Sequence, residues 1–196
     1  MTPCVFDWSL CEVKLSDNDG GLGEGIGSVF VDPTAPPNER YKRLIIVTPS
    51  YVEKGDEYRK RVVEEFSRTR PDDIDPVVLD GHCWVIFGAV SPDGVHWKVL
   101  PDLLALQIAD TLNTAHYDAL LKRYVWYTRC NWYYGRRCVG RSETEDFHRW
   151  PAPTMILWPD TDLLPSDDWY TNGHSVYPGT IDHHLMFPAL YHRAVD

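Results

Sequence analysis

The 196-residue sequence has no stretch near the roughly 20 consecutive apolar residues that a membrane-spanning helix needs. Its opening residues, MTPCVFDWSL, have neither the basic nor the apolar region of a secretory leader. No membrane partner is expected, and a soluble, cytoplasmic chain is. Basic residues are also scarce: 19 Lys and Arg stand against 29 acids, for a formal charge of -10. Nucleic-acid binding neutralises phosphates with a dense Lys/Arg surface, so no nucleic-acid partner is expected either. A neutral polyol suits this charge balance. The five cysteines, Cys4, Cys11, Cys83, Cys130 and Cys138, include no CxxC pair and no zinc-finger spacing. Their odd number disfavours a complete disulfide framework. Cys130 and Cys138 bracket NWYYGRR and can meet across a hairpin, either bonded or, the better reading, as two buried thiols. No cofactor is expected.

What the chain does have is apolar and aromatic material, 43% and 13% of its residues, enough for the core of one domain over residues 1–196. Its 8 Trp and 11 Tyr can fill sheet cores or stack on the C–H faces of sugars, and for any single ring core packing is the commoner role. Short runs rich in β-branched and aromatic residues predict strands: GIGSVFVD, YKRLIIV, HCWVIFGAV, VHWKVL, RYVWYTR, PTMILW and HHLMFPALY. Turn formers separate them, among them DPTAPPNE, SPDG, WPDTD and YPGT. An all-β meander follows. The exception is residues 56–70, where Tyr58, Val62, Val63 and Phe66 fall near helical spacing and predict a short surface helix. The run LLALQIAD reads as an apolar connection into the next strand.

The meander repeats. AVSPDGVHWKVLP and GRSETEDFHRWPAP share Ser, an acid, an aromatic or His, then Trp and Pro, with Trp97 and Trp150 separated by 53 residues. A second unit precedes each: SVFVDPTAPPNERYKRLIIV, TAHYDALLKRYVWYTR and HSVYPGTIDHHLMFPALY, in which Tyr117 and Tyr177 are 60 apart. A period of roughly 50 residues with four strands per unit is that of propeller blades. One large ring per blade then fills the gap between blades. Asp93 and Asp146 are expected to accept backbone N–H groups in their turns, as are Asp32 and Asp118 after their strands.

VFVDPTAPPNERYK, SPDGVHW, DTLNTAHYD, RYVWYTR and RCVGRSETEDFHRWPAP together resemble bacterial glycosyl hydrolase-like proteins related to the five-bladed β-propellers of glycoside hydrolase families 32 and 43. The likeness runs in order from about Gly25 to about Tyr191. The chain lacks the Asn-Asp-Pro, Arg-Asp-Pro and Glu-Cys motifs that carry the acids of the fructan-cleaving group. The resemblance implies a five-bladed propeller acting on a carbohydrate at its axis. A closed ring at this period takes about 250 to 350 residues. The chain is therefore expected to be a fragment with about three blades, able to self-associate through uncovered blade edges.

Glycosidic cleavage uses two carboxyl groups flanking the scissile oxygen. The resemblance places such acids on the innermost strands. Aligning the repeats on Asp32, Asp118 and Pro178 puts Glu24 and Asp110 at one point, eight residues earlier, with Asp168 displaced by two. Asp110, Asp168 and Glu24 are thus the candidate catalytic acids, Asp110 foremost, although a cap on its strand is an equal alternative for it. Asn113 can orient a sugar hydroxyl or the acid. Trp169, Tyr170, Asn172 and His174 combine a stacking surface with donors and acceptors, as a sugar subsite does. Arg141 or Arg137 can hold an anionic sugar or pair with surface acids. No metal site is expected: His183 and His184 alternate faces, and with His174 and His192 they show no specific ligand spacing. A non-catalytic carbohydrate-binding propeller and a protein-interaction scaffold are the alternatives.

Overall fold

The computed structural model describes residues 27–47, 55–75, 78, 83–110, 112–133 and 135–193. Two four-stranded antiparallel sheets follow one another along the chain, each a simple meander in sequence order. The first holds β1 (Val29–Val31), β2 (Tyr41–Val47), β3 (Trp84–Ser91) and β4 (Lys98–Gln107). The second holds β5 (Thr114–Asp118), β6 (Arg123–Tyr133), β7 (Arg136–Thr144) and β8 (Thr154–Leu157). A third, two-stranded sheet pairs β9 (Asp167–Val176) with β10 (His184–His192). Among the described residues the strands do not close into a barrel. The first strands of the sheets are neighbours, β1 against β5 and β5 against β9.

Among the described residues there is one α-helix, α1 (Gly55–Thr69), in the insertion between β2 and β3. Its spacing of Val62 and Phe66 makes an apolar stripe, which is buried against Val78 and Cys83 ahead of β3 and against Val85 and Leu106 on the first sheet. Arg70, just beyond the helix, donates to the carbonyls of Leu103 (3.0 Å) and Trp150 (3.1 Å), tying the insertion to both sheets. The apolar run from Leu103 is not a connection. It continues β4 as far as Gln107, because its alternate side chains complete the cores on the two faces of the sheet.

The first and second sheets pack through their faces. Leu44, Ile46, Ile86 and Leu104 meet Tyr124, Trp126, Phe147 and Trp150 in one buried cluster. Trp126 and Trp150 are fully buried and cross edge to face at 5.9 Å, the arrangement that ring quadrupoles favour. The repeat detected in the sequence recurs in the hydrogen bonds. Trp97 Nε1 donates to the Gly94 carbonyl (3.1 Å) and Trp150 Nε1 to that of Phe147 (2.9 Å), three residues back in each case. Asp93 and Asp146 each accept the N–H two residues on, from Val95 (2.9 Å) and His148 (2.9 Å). Ser91 is matched by Thr144, not by Ser142: each hydroxyl accepts the N–H of the turn aspartate, at 3.2 and 3.0 Å. Asp32 and Asp118 close equivalent turns, accepting from Thr34 and Ala35 and from Leu120 and Leu121.

Cys130 and Cys138 face each other across β6 and β7, and both are buried thiols not joined in a disulfide. Burial pushes the Cys130 thiol up to about 12, so it is inert as a nucleophile. Gly140 lies beside this pair, where an added Cβ would overlap Cys130 Sγ and press on Pro153. Gly140→Ala is expected to cost about 1–3 kcal/mol through overpacking, read as a lower midpoint in urea with an unchanged slope. No helix among the described residues is long and apolar enough to cross a membrane.

Candidate functional site

The third sheet lays one face on the second, and this seam carries the polar chemistry. Strand alternation decides which side chains enter it. From β5 come Thr114, His116 and Asp118; from β6 Tyr127 and Arg129; from β7 Arg137 and Arg141; from β9 Tyr170, Asn172 and His174; and from β10 His184.

Four flat rings stack at one end. His116 lies 4.4 Å from His174 and 6.3 Å from Tyr127, with interplanar angles of 18° and 5°. Tyr127 lies 4.5 Å from His174, and His174 5.2 Å from His184. His174 Nε2 and His184 Nδ1 share a hydrogen bond of 3.0 Å, while His184 Nε2 points to the Asp118 carboxylate at 3.7 Å. Burial pushes the His116 and His174 imidazoles down to about 4, with further lowering from the other ring nitrogens and Arg141 in both cases. Both rings are therefore uncharged at neutral pH. A cavity of 270 Å³ opens here, lined by Asp118, Leu120, Tyr127, Arg141, Asp182 and His184.

At the other end Tyr170 joins two ion pairs. The Arg129 and Arg137 guanidinium groups lie 4.7 and 5.2 Å from its ring centre. Arg129 pairs with Asp110, and Arg137 with Asp168. Asp168 has no exposed surface and is also gripped by Arg193 at 2.7 and 2.8 Å. Burial alone would raise its pKa, but the hydrogen bonds from Arg193 and Arg137 outweigh burial and hold it below the usual carboxylate range.

Unpartnered buried polar atoms gather along the same seam. Both ring nitrogens of His116, both amide atoms of Asn172, and the Nε atoms of Arg129 and Arg141 are buried without a hydrogen bond. Each such atom costs about 1–3 kcal/mol, so their concentration makes this seam costly to bury as it stands.

Compared with known proteins, the chain matches no family model. No curated protein matches it. Among solved structures it is similar to an N-acetylgalactosamine deacetylase from F. plautii, in complex with blood group B trisaccharide. The TM-score is 0.45 at 13% identity, and the match covers 83% of this chain and 39% of that one.

Of the residues singled out in the sequence, the seam brings together Asn172, His174, Tyr170 and Arg141, and it joins Asp110 to Asp168 through the guanidinium groups around Tyr170. Arg141 pairs with Glu143 at 3.0 Å and lies 5.7 Å from the Tyr127 ring. Trp169 is half-buried in β9 beside Asp168. Asn113 is committed locally: its amide donates to the Asp110 carbonyl (2.8 Å) and accepts from Trp126 Nε1 (3.1 Å). Glu24 lies outside the described residues. Sequence reasoning passed over His116, Tyr127 and Arg129. The signal for the first was the alternation His116-x-Asp118 on a strand, which puts an imidazole and a carboxylate on one face.

Proposed function

We propose that the chain supplies consecutive blades of a five-bladed β-propeller that acts on a carbohydrate, with the sugar held in the seam between the second and third sheets. The propeller is supported by two successive four-stranded meanders with the same turn chemistry and by the adjacency of β1, β5 and β9. The observation that carries the sugar reading is the convergence of unpaired polar atoms with stacked flat rings beside a 270 Å³ cavity. Sites for drug-sized ligands start at about 300 Å³, so this volume suits one monosaccharide unit. Arg141 donates to the sugar's hydroxyls and the exposed Asp182 accepts from them, with Tyr127 and Asp118 forming the cavity's buried wall.

Screening the full chain against immobilised mono- and oligosaccharides, followed by calorimetry on the ligands retained, tests this. Arg141→Ala is expected to weaken sugar binding by about 10- to 100-fold, the worth of a hydrogen bond to a charged group. Equal affinity in Arg141→Ala and in the unaltered chain would remove the seam as the sugar site.

Hydrolysis is the second reading, favoured by Asp110, whose side chain is 29% exposed at the mouth of β5. Asp168 has no exposed surface and is held by two arginines, so the carboxyl that meets the sugar falls to Asp110 or Glu24. Asp110→Asn is expected to lower kcat by about 10²–10⁴-fold, and undiminished release of reducing sugar would exclude Asp110.

A further inference from the structure

We propose that His116, His174 and His184 form a binding site for one divalent transition-metal ion of the zinc class, with Asp118 holding the His184 ring from behind. One nitrogen from each ring can be chosen so that the three lie within 4.8 Å of one another, and the closest contact, His174 Nε2 to His184 Nδ1, is 3.0 Å. Ligand nitrogens of tetrahedral zinc, each at 2.0–2.1 Å from the metal, stand about 3.3 Å apart. The longest separation therefore has to close by about 1.5 Å at most, and because His116 and His174 lie stacked at 18°, the half-buried His174 ring has to turn so that its lone pair meets the ion.

Two further observations separate this cluster from packed histidines. A structural histidine satisfies its ring nitrogens with carbonyls or hydroxyls, whereas both nitrogens of His116 are buried and unpartnered. A metal removes that penalty at one of them. The second is the direction of His184: Nδ1 faces the cluster and Nε2 faces the buried Asp118 carboxylate at 3.7 Å. That is the carboxylate–histidine–metal order; at 3.7 Å the pair is an ion contact, and closing it to a hydrogen bond on metal binding is what would fix the tautomer and strengthen the ligand. Asp118 is itself fixed, since its other oxygen accepts from Leu120 and Leu121 (2.9 and 2.8 Å).

The donor set selects the ion. Three imidazoles suit zinc, cobalt or nickel, and calcium and magnesium demand oxygen ligands. Three protein ligands leave one tetrahedral position open, as in sites where a bound molecule completes the shell. His184 also lines the 270 Å³ cavity, so the open position faces the space assigned to the ligand. The Arg141 charge nearby is balanced by Glu143 at 3.0 Å.

The test uses the full chain, stripped with chelator and titrated with zinc alone. One equivalent is expected to bind, raising Tm by about 5–10 °C at a hundredfold excess over Kd. Cobalt in place of zinc is expected to give the visible absorption of a tetrahedral site. Asp118→Asn is expected to weaken zinc binding about 10- to 100-fold, and His184→Ala by more than that. The His184 side chain is 27% exposed, whereas both ring nitrogens of His116 are buried, so of these two ligands His184 is the one whose loss costs the fold less. His192→Ala, in an exposed residue paired with Asp167, leaves binding unchanged. Absence of stoichiometric zinc binding, or equal affinity in His184→Ala and the unaltered chain, overturns the site. Metal binding is read without sugar and sugar binding is read in chelator, so either can fail without the other.

Discussion

Asp32→Ala is expected to destabilise the chain by about 3–5 kcal/mol, because it strips a buried lysine of its buried counter-charge and leaves it only the half-exposed Glu39 carboxylate at 3.7 Å. Asp32 has no exposed surface; it accepts from Tyr124 Oη (2.5 Å), from Thr34 N (2.8 Å) and Oγ1 (2.7 Å), and lies 4.0 Å from Lys42 Nζ. Lys42 is 2% exposed and rests over the Phe147 ring at 4.8 Å. Burial pulls the Lys42 amine below its ordinary value, while the charges of Asp32 and Glu39 oppose that shift. At 2–4 °C per kcal/mol for a chain of this size, the loss corresponds to about 10 °C in Tm. Adding Lys42→Met to Asp32→Ala should return much of that stability, because the orphaned charge goes with it. A double variant no more stable than Asp32→Ala would show that the turn, and not the ion pair, is the seat of the effect.

Asp168→Ala is expected to lose less, about 1–3 kcal/mol, because the Arg137 and Arg193 side chains it leaves are 32% and 41% exposed, and to lose it locally. Asp168 holds Arg137 of β7 and Arg193 beyond β10, so it clamps the third sheet to the second. Its removal should speed amide exchange in β9 and β10 while leaving the core strands β3 and β6 protected. Uniform loss of protection across all three sheets would contradict a local clamp. The pH dependence has one sign for both acids. Burial raises Asp32, yet hydrogen bonds from Tyr124 and Thr34 with the Lys42 charge bring it below 3.8, and Asp168 is likewise lowered. A carboxylate lowered in the folded state contributes stability above its unfolded pKa, and that contribution is lost as the pH falls through the folded value. Urea midpoints of the unaltered chain should therefore fall more steeply below about pH 5 than those of either variant.

The fold was legible wherever local chemistry decides it. The predicted YKRLIIV strand coincides with β2, and the charged insertion near residues 56–70 forms the helix Gly55–Thr69. The repeat was legible because a turn needs its aspartate at a set distance from its Trp, and both copies keep that distance. LLALQ was misread because a continuous apolar run does not distinguish a connection from a strand buried on both faces.

The site was legible only in part. His174, Asn172 and Arg141 were singled out for their chemistry, but what each meets depends on how two sheets stack. His116 and His184 are separated by 68 positions yet lie 5.6 Å apart, ring to ring. The sequence by itself marked strand runs at β1–β4, β6, β8 and β10 and the turns between them, missed β5, β7 and β9, and through alternation determined which side chains share a face. The tertiary structure decided which faces meet, and so which polar groups are paired, as at Asp168, and which are buried without partners, as at His116 and Asn172. Strand period is a local property of the backbone, whereas the partner of a buried polar atom is set by contacts between segments far apart in the chain.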